Sequence, residues 1–410
     1  MSLVITDVKR LDGTVSNVII HSPADRLIDG SHLILLPALI DPHVHFRIPG
    51  ASHKEDWMTG ARAAIAGGVT TVFDMPNNTP VCSTLDNLLA KKKLISEQLQ
   101  AAKIPLRYYL YFGADKQNLT EIPKVKHHAI GIKIFMGSST GDLLIDDDAT
   151  LDEVFRMAAD LDMIVSVHAE DESIIRENKL KYANETDPSV HSRLRSPSAA
   201  IRATERAIAL SDRYGTRLCI LHMSTKEEVE LIRKAKKKKI PVYAEAAPHH
   251  LFLTTQDYAS LGTLAQMNPP LREPEDQAVL WTAINDGTID FIGTDHAPHL
   301  LSEKNQPYGK APSGVPGIEH YLSLLLNAVN QGKLTLSKLV ELTRTNIEKV
   351  FKLPTQDDVV LIDRSLIKTL SNDNLKTKCS WSPYAGLQLQ GSPIYTIIQG
   401  QLFSNDATHL

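Results

Sequence analysis

Short apolar segments alternate with helical segments eight times between residues 35 and 299, and this repeat limits the fold more than any other feature. The first apolar segment, LLPALIDPHVHF at residues 35–46, has the Leu, Ile and Val content of a buried parallel strand. The helical segment KEDWMTGARAAIAGG follows it and ends at two glycines, as helices commonly do. The other seven apolar segments are TTVFDMP, LRYYLYFG, GIKIF, IVSVHAE, LCILHMS, VYAEAAPHH and FIGTDHAPH. Eight such units are typical of an α/β protein with a (β/α)8 TIM-type barrel.

A doubly wound open sheet is the alternative fold, because alternation of strands and helices alone does not exclude it. The barrel is favoured by the position of the unusual polar residues, which fall at the C-terminal ends of the predicted strands, where barrel enzymes build their active sites. We therefore predict a barrel hydrolase domain over residues 41–354. Residues 1–40 and 355–410 lie outside the repeat and contain short β-like stretches, which predict one small composite β-sandwich domain from both chain ends.

Composition and charge indicate a small-molecule partner. The 44 basic and 48 acidic residues give a net charge of -4, which favours neither nucleic acid nor an anionic membrane as a partner. The lysine-rich segment at residues 234–239 ends a predicted helix, where cations complement the helix dipole. The N-terminus lacks the apolar core of a signal peptide, and no apolar run approaches the roughly 20 residues of a membrane span. Three widely spaced cysteines form no metal motif or disulfide framework, so we expect a cytoplasmic protein.

Histidines and one aspartate at the strand ends predict a metal site. His43 and His45 form an HxH pair on the first strand, and the two-residue period of a strand points both side chains to the same side. An HxH pair alone also occurs among buried, hydrogen-bonded histidines. His168, His222 and Asp295 end the fifth, sixth and eighth strands, and a closed barrel points all three at one centre. Four histidines and a carboxylate suit zinc.

Lys133 is a lysine within the apolar fourth strand, GIKIF. One interpretation is a buried ion pair, because a buried charge needs a partner. The other is carbamylation, in which an amine of lowered pKa reacts with carbon dioxide to give an anionic ligand that bridges two metals.

Nine motifs give the chain a resemblance to the dihydroorotases of the metal-dependent amidohydrolase superfamily. They are DPHVHFRIPG, KEDWMTG, DMPN, IKIFMG, VHAE, HMS, APHHLFL, MNPPLR, and TDHAPH with SGVPGIEH, which run in order over residues 37–330. The resemblance implies reversible interconversion of dihydroorotate and N-carbamoyl-aspartate in pyrimidine synthesis. It also implies two zinc ions bridged by carbamylated Lys133 and a hydroxide. The implied metal ligands are His43, His45, Lys133, His168, His222 and Asp295.

The resemblance also assigns catalytic and substrate-binding roles. Asp295 would act as the catalytic base, although a purely structural ligand would give the same sequence. The implied substrate-binding residues are Arg47, Asn77, Asn268, His299 and Gly314, of which the first two and His299 would hold the carboxylate. Asn78 is the alternative to Asn77 because the sequence reads PNNTP. Gly314 could equally be a turn-former.

Two other functions fit the same motifs. A hydantoinase or allantoinase would share the barrel, the metal ligands and the attack on a cyclic amide, but Arg47 and NPPLR argue against it. A non-catalytic structural partner of aspartate transcarbamoylase should have lost metal ligands, and none is lost here. A homodimer, and association of the active chain with aspartate transcarbamoylase, are compatible with the resemblance.

Overall fold

The computed structural model describes residues 1–139 and 143–405, which form fifteen strands in two sheets. The strands are β1 Ser2–Lys9, β2 Val15–His21, β3 Arg26–Asp29, β4 Ile34–Pro37, β5 Leu39–Val44, β6 Val69–Asp74, β7 Arg107–Gly113, β8 Gly131–Phe135, β9 Val165–His168, β10 Leu218–Ile220, β11 Val242–Ala246, β12 Phe291–Ile292, β13 Val359–Thr369, β14 Gln388–Ile398 and β15 Gln401–Ser404. Strands β5 to β12 form the barrel and the others form a second sheet.

Most of the helices follow the barrel strands. They are α1 Trp57–Ala66, α2 Leu85–Ala102, α3 Ile122–Val125, α4 Asp148–Leu161, α5 Glu172–Lys181, α6 Val190–Leu194, α7 Pro197–Tyr214, α8 Lys226–Lys237, α9 Pro248–Phe252, α10 Tyr258–Leu261, α11 Pro274–Asn285, α12 Leu301–Lys304, α13 Tyr321–Asn330, α14 Leu336–Val340 and α15 Asn346–Val350. The Asp56 side chain accepts hydrogen bonds from the first backbone amides of α1, and Gly67 caps its end. Helix α8 ends in lysines, as predicted from the charge pattern.

The eight barrel strands are parallel and lie in sequence order, which confirms the predicted fold class. The ring closes between β5 and β12 through an isolated parallel bridge, Val44 to His296, rather than through a full ladder. Asp41 supports this seam by accepting hydrogen bonds from Thr294 and from the His43 amide. The seam therefore places the end of the first barrel strand beside the residues that follow the last one.

The second sheet has seven strands and combines both ends of the described chain. Its order is β15-β14-β13-β4-β1-β2, with β3 paired to β1. Most of its pairs are antiparallel, whereas β3 and β4 pair with β1 in parallel. The predicted domain bounds at residues 40 and 355 stay a prediction.

The apolar run at residues 35–46 was predicted as one barrel strand, and this was wrong for its first residues. Ile34–Pro37 belongs to the second sheet, and the barrel strand begins at Leu39. Leu36, Ala38 and Leu39 are all fully buried, so hydrophobicity does not change where the chain passes from one sheet to the other.

Aromatic side chains fill the barrel below the strand ends. Phe73, Tyr111 and Phe291 pack against Phe351, which follows α15. This packing closes the barrel on one side, so that a cavity is left at the carboxyl ends of the strands. In the described part of the chain, no helix is long and apolar enough to cross a membrane.

Candidate active site

The carboxyl ends of the barrel strands surround a small cavity that is lined mostly by polar side chains. All six predicted metal ligands line it: His43, His45, Lys133, His168, His222 and Asp295. Four of the five predicted substrate-binding residues line it as well: Arg47, Asn77, Asn268 and Gly314. The fold therefore brings together residues that lie up to 271 positions apart, as counted from His43 to Gly314.

His43, His45 and Asp295 form the tightest group in the cavity. Asp295 Oδ1 lies 3.2 Å from His43 Nε2 and 3.1 Å from His45 Nε2. One ligand atom from each of the three residues lies within 4.8 Å of the others, which is close enough to hold one metal ion. All three residues are buried, so little water would compete with their side chains for a bound metal ion.

Polar partners fix the outer ring nitrogen of three of the four histidines. His43 Nδ1 pairs with Glu245, His45 Nδ1 with Asn77, and His168 Nε2 with Glu170, each at 2.8 Å. Each partner oxygen accepts this hydrogen bond, as an amide oxygen must, so the paired nitrogen carries the proton and the other nitrogen keeps its lone pair. For His43 and His45 that other nitrogen is the one beside Asp295, so these two rings are oriented to bind a metal.

His168 and His222 form a second pair. His168 Nδ1 lies 3.1 Å from His222 Nε2, and both rings are buried. Burial lowers the pKa of both imidazoles, and that of His222 falls well below its usual range. Both rings are therefore neutral at pH 7, which is the form that binds metals.

Lys133 is buried, and its Nζ has no hydrogen-bond partner among the residues that the structure describes. The ammonium lies 4.6 Å from the centre of the Phe135 ring. Burial lowers the pKa of this amine to about 8, although the nearby Asp295 and Glu245 carboxylates partly offset the effect. A buried amine without a hydrogen bond fits modification or metal ligation better than a structural ion pair.

The carboxylates around the cavity have divergent proton affinities. Burial alone would raise the pKa of Asp295, but the adjacent His43 and His45 hold it well below its usual range. Burial raises the pKa of Glu245 to about 8 and that of Asp41 to about 7. Asp295 is thus the one of these three carboxylates that is fully charged at pH 7. Four imidazoles, one carboxylate and a free amine are a donor set that fits zinc.

Arg47 and Asn77 lie next to the metal ligands. Arg47 has a left-handed backbone, with φ of 63°, and its Nε donates to the carbonyl of Pro298 at 3.0 Å. Asn77 holds His45, whereas Asn78 donates to the carbonyl of Ile48 and accepts from Lys91. Of the two asparagines that the sequence left open, Asn77 is therefore the one that lines the cavity.

The other predicted substrate-binding residues differ in exposure to the cavity. Asn268 lines it and accepts a hydrogen bond from His191, at 2.9 Å. Gly314 has φ of 137°, and a Cβ there would lie 2.6 Å from the carbonyl oxygen of Ala297, so only glycine fits. His299 is not among the residues that line the cavity and instead contacts Arg47 from behind.

Sequence reasoning missed the acidic residues that hold the histidines. Glu245 is the penultimate residue of the apolar strand β11 and pairs with His43, and it also accepts a hydrogen bond from the His222 backbone amide at 3.1 Å. Glu170, two residues after His168, pairs with the buried Arg195 at 2.6 Å. The signal for both was the one used for the ligands, namely a polar residue at or just after the end of a buried strand.

Comparison with known proteins agrees with this geometry. Residues 34–360 match the model of the amidohydrolase family. The chain is 36% identical to a dihydroorotase of Methanosarcina mazei, over 93% of this chain and 86% of that protein. It is 33% identical to a multifunctional protein of Dictyostelium discoideum, over 90% of this chain and 15% of that protein. Among solved structures, an L-hydantoinase (dihydropyrimidinase) from Arthrobacter aurescens is similar, with a TM-score of 0.91 and 27% identity over 98% of this chain and 96% of that one.

Proposed function

This chain belongs to the amidohydrolase family, and from that premise we propose that it acts as a dihydroorotase. The reaction is the reversible interconversion of L-dihydroorotate and N-carbamoyl-L-aspartate in pyrimidine biosynthesis. The observation that carries the proposal is one cavity lined both by the six metal-ligand candidates and by Arg47 and Asn77. The first set suits hydrolysis of an amide, and the second suits recognition of a carboxylate beside it.

We propose that His43, His45, Lys133, His168, His222 and Asp295 hold two zinc ions. Zinc bound there would polarise the amide carbonyl and lower the pKa of the attacking water. Lys133 would take part after its unprotonated amine adds to carbon dioxide, which forms an N–C bond and releases one proton. The lowered pKa of Lys133, about 8, leaves a larger share of this amine unprotonated at neutral pH than an exposed lysine would have.

Asp295 is the proposed proton carrier. Its carboxylate is charged at neutral pH, and it lies between the two imidazoles of the HxH pair. It accepts a proton from the water that attacks the ring carbonyl, and it passes that proton to the ring nitrogen as the C–N bond breaks. In the direction of ring closure, the same carboxylate takes the proton from the ureido nitrogen.

Arg47 and Asn77 are the proposed contacts of the substrate carboxylate. A guanidinium binds a carboxylate through two parallel hydrogen bonds. Arg47 is buried and lines the cavity together with the six metal-ligand candidates. Asn268 would lie along the ring, and Gly314 would contact the ring through its backbone, because only glycine fits beside Ala297. His299, which contacts Arg47, would join it at the carboxylate.

A hydantoinase-type activity is the second candidate, because the L-hydantoinase of Arthrobacter aurescens shares the whole fold. Hydantoin lacks the carboxylate that Arg47 is placed to bind. The higher identity to the Methanosarcina dihydroorotase, 36% against 27%, also favours the first candidate.

The test is hydrolysis of L-dihydroorotate by zinc-supplied protein in bicarbonate buffer, with hydantoin and allantoin run in parallel. We expect turnover of dihydroorotate alone, lost on addition of a chelator. Turnover of hydantoin in preference to dihydroorotate would overturn the assignment. If nothing is turned over despite bound zinc, the assay is repeated with aspartate transcarbamoylase added, and continued inactivity would contradict the proposal.

We also propose a cytoplasmic location and an association with other pyrimidine enzymes. All three cysteines are buried and unpaired, which suits a reducing compartment. The similarity to one segment of the multifunctional Dictyostelium protein supports the association. Gel filtration of the chain, alone and with aspartate transcarbamoylase, tests both the homodimer that the resemblance implies and this complex.

A further inference from the structure

Lys54, in the loop before α1, contacts the predicted substrate pocket from outside. Its Nζ lies 3.0 Å from His299 Nδ1 and 3.1 Å from Glu303 Oε1, and its side chain is 17% exposed. Behind it, His299 is buried and reaches Arg47. Lys54, His299 and Arg47 therefore form a chain of contacts that runs from the surface to the proposed carboxylate-binding side chain.

The contact with Lys54 determines which nitrogen of His299 carries the proton. An ammonium group has only donors, so Nδ1 of His299 must accept the hydrogen bond. Burial and the positive charges of Arg47 and Lys54 lower the pKa of His299 far below its usual range, so the ring is neutral and has one proton. That proton is therefore on Nε2.

The proton on Nε2 of His299 determines whether Arg47 Nη2 donates a hydrogen bond to His299 or stays free for a carboxylate. Nε2 lies 3.1 Å from the carbonyl oxygen of Ser313 and 3.1 Å from Arg47 Nη2. A protonated Nε2 donates to Ser313 and cannot accept from Arg47, whose guanidinium has only donors. In the other tautomer, Nε2 would accept from Arg47 Nη2 and would occupy one of the two donors that a carboxylate needs.

We propose that Lys54 is a positioning residue, which holds His299 in the tautomer that leaves Arg47 Nη2 free to bind the carboxylate of the substrate. The identity of that carboxylate rests on the proposed function. Lys54 does not line the cavity, so its effect passes through His299.

Glu303 gives the reason why the tautomer would change without Lys54. Its Oε2 lies 3.7 Å from His299 Nδ1. When the ammonium is absent, this carboxylate favours a proton on Nδ1, because a carboxylate only accepts hydrogen bonds. Nε2 then becomes an acceptor beside Arg47. The Lys54→Met variant should therefore exchange one tautomer for the other rather than simply loosen the ring.

The test combines a spectroscopic and a kinetic measurement on the zinc-loaded protein. Histidine labelled with ¹⁵N distinguishes the two tautomers by NMR, and the His299 signal is assigned by its loss in His299→Asn. We expect an Nε2–H tautomer in the wild type and in Lys54→Arg, and an Nδ1–H tautomer in Lys54→Met. Lys310→Met, which removes a lysine from the same rim, is the matched control.

The kinetic measurement separates the carboxylate contact from general damage. Inhibition by orotate, which carries the carboxylate, is compared with inhibition by uracil, which has the same ring without it. In Lys54→Met we expect KM for dihydroorotate and Ki for orotate to rise about tenfold, with kcat and Ki for uracil within about twofold of the wild type. Lys54→Arg should recover most of the loss, and Lys310→Met should lose nothing.

An Nδ1–H tautomer in the wild type would overturn the proposal, and so would an equal weakening of orotate and uracil in Lys54→Met. If the wild type does not turn over dihydroorotate, the proposed function fails by itself. The tautomer measurement and the comparison of orotate with uracil still decide the role of Lys54 in that case.

Discussion

Replacing Lys91 with methionine is expected to destabilise the protein strongly, although Lys91 lies on α2 and does not line the cavity. Its ammonium is fully buried, 2.5 Å from Asp74 Oδ2, and it also donates to the carbonyl of Met75 and to Asn78. Asp74 in turn accepts the backbone amide of Phe46, at 2.8 Å. Lys91 thus ties the end of β6 to the residues just after the HxH pair.

The magnitude follows from the burial of both charges. Removing one partner of a buried ion pair costs about 3–5 kcal/mol, because the other charge is left unpaired away from water. The double variant Lys91→Met with Asp74→Asn removes both charges and should cost only about 1–3 kcal/mol, from the lost hydrogen bonds. The two substitutions should therefore be non-additive by about 2 kcal/mol or more.

The assay is urea unfolding of the zinc-loaded protein, followed by the fluorescence of its three buried tryptophans. The wild type, both single variants and the double variant are compared, with Lys93→Met as the control for an exposed lysine on the same helix. A cost below about 1 kcal/mol for Lys91→Met would refute the argument. Additivity of the two substitutions would also refute it.

Three further predictions concern single side chains. Lys133→Ala should abolish activity and lower the zinc content measured by atomic absorption, with partial return of both on addition of short-chain carboxylic acids; full activity of the variant would exclude the bridging role. Arg47→Met should raise KM for dihydroorotate about 10- to 100-fold, the loss of one or two charged hydrogen bonds, and leave zinc content unchanged; an unaltered KM would remove Arg47 from the carboxylate site. Burial and the charge of Arg47 lower the pKa of Lys304 to about 7, so the Lys304 ammonium loses its proton at a lower pH in the folded protein than in the unfolded chain. Between pH 7 and 10 the free energy of unfolding of the wild type should therefore rise relative to Lys304→Met, by about 1.4 kcal/mol per pH unit, in urea titrations at each pH; a constant difference would contradict this.

The barrel and its metal ligands could be predicted because both depend on local patterns. A buried strand has an apolar sequence, and a barrel places whatever follows each strand around one cavity. His168 ends β9 and Lys133 lies within β8, so their positions in the cavity follow once the strands are recognised. His222 and Asp295 come two or three residues after short strands, in left-handed backbone that no sequence pattern signalled.

The residues that hold these ligands could not be predicted in the same way, because their partners are distant in sequence. Lys91 is the first of three consecutive lysines, and only the structure shows that it is buried while Lys92 is half-buried and Lys93 is exposed. Arg195 meets Glu170 across 25 residues. The motif that predicts His299 as a substrate contact fixes its loop but not the direction of its ring, which contacts Arg47 in the structure.

The second sheet has a consequence for how such a unit can be joined to other proteins. The first strand, β1, and the last, β15, lie in the same sheet with three strands between them. At about 4.8 Å per strand spacing, they are separated by roughly 19 Å, which about six extended residues would span. A gene encoding this unit could thus be inserted between two other coding regions while β1 and β15 stay in one sheet, and the multifunctional Dictyostelium protein, of which this chain matches 15%, illustrates such an arrangement. Multifunctional proteins that contain such a unit could then have arisen by recombination of whole coding regions and not only by mutation.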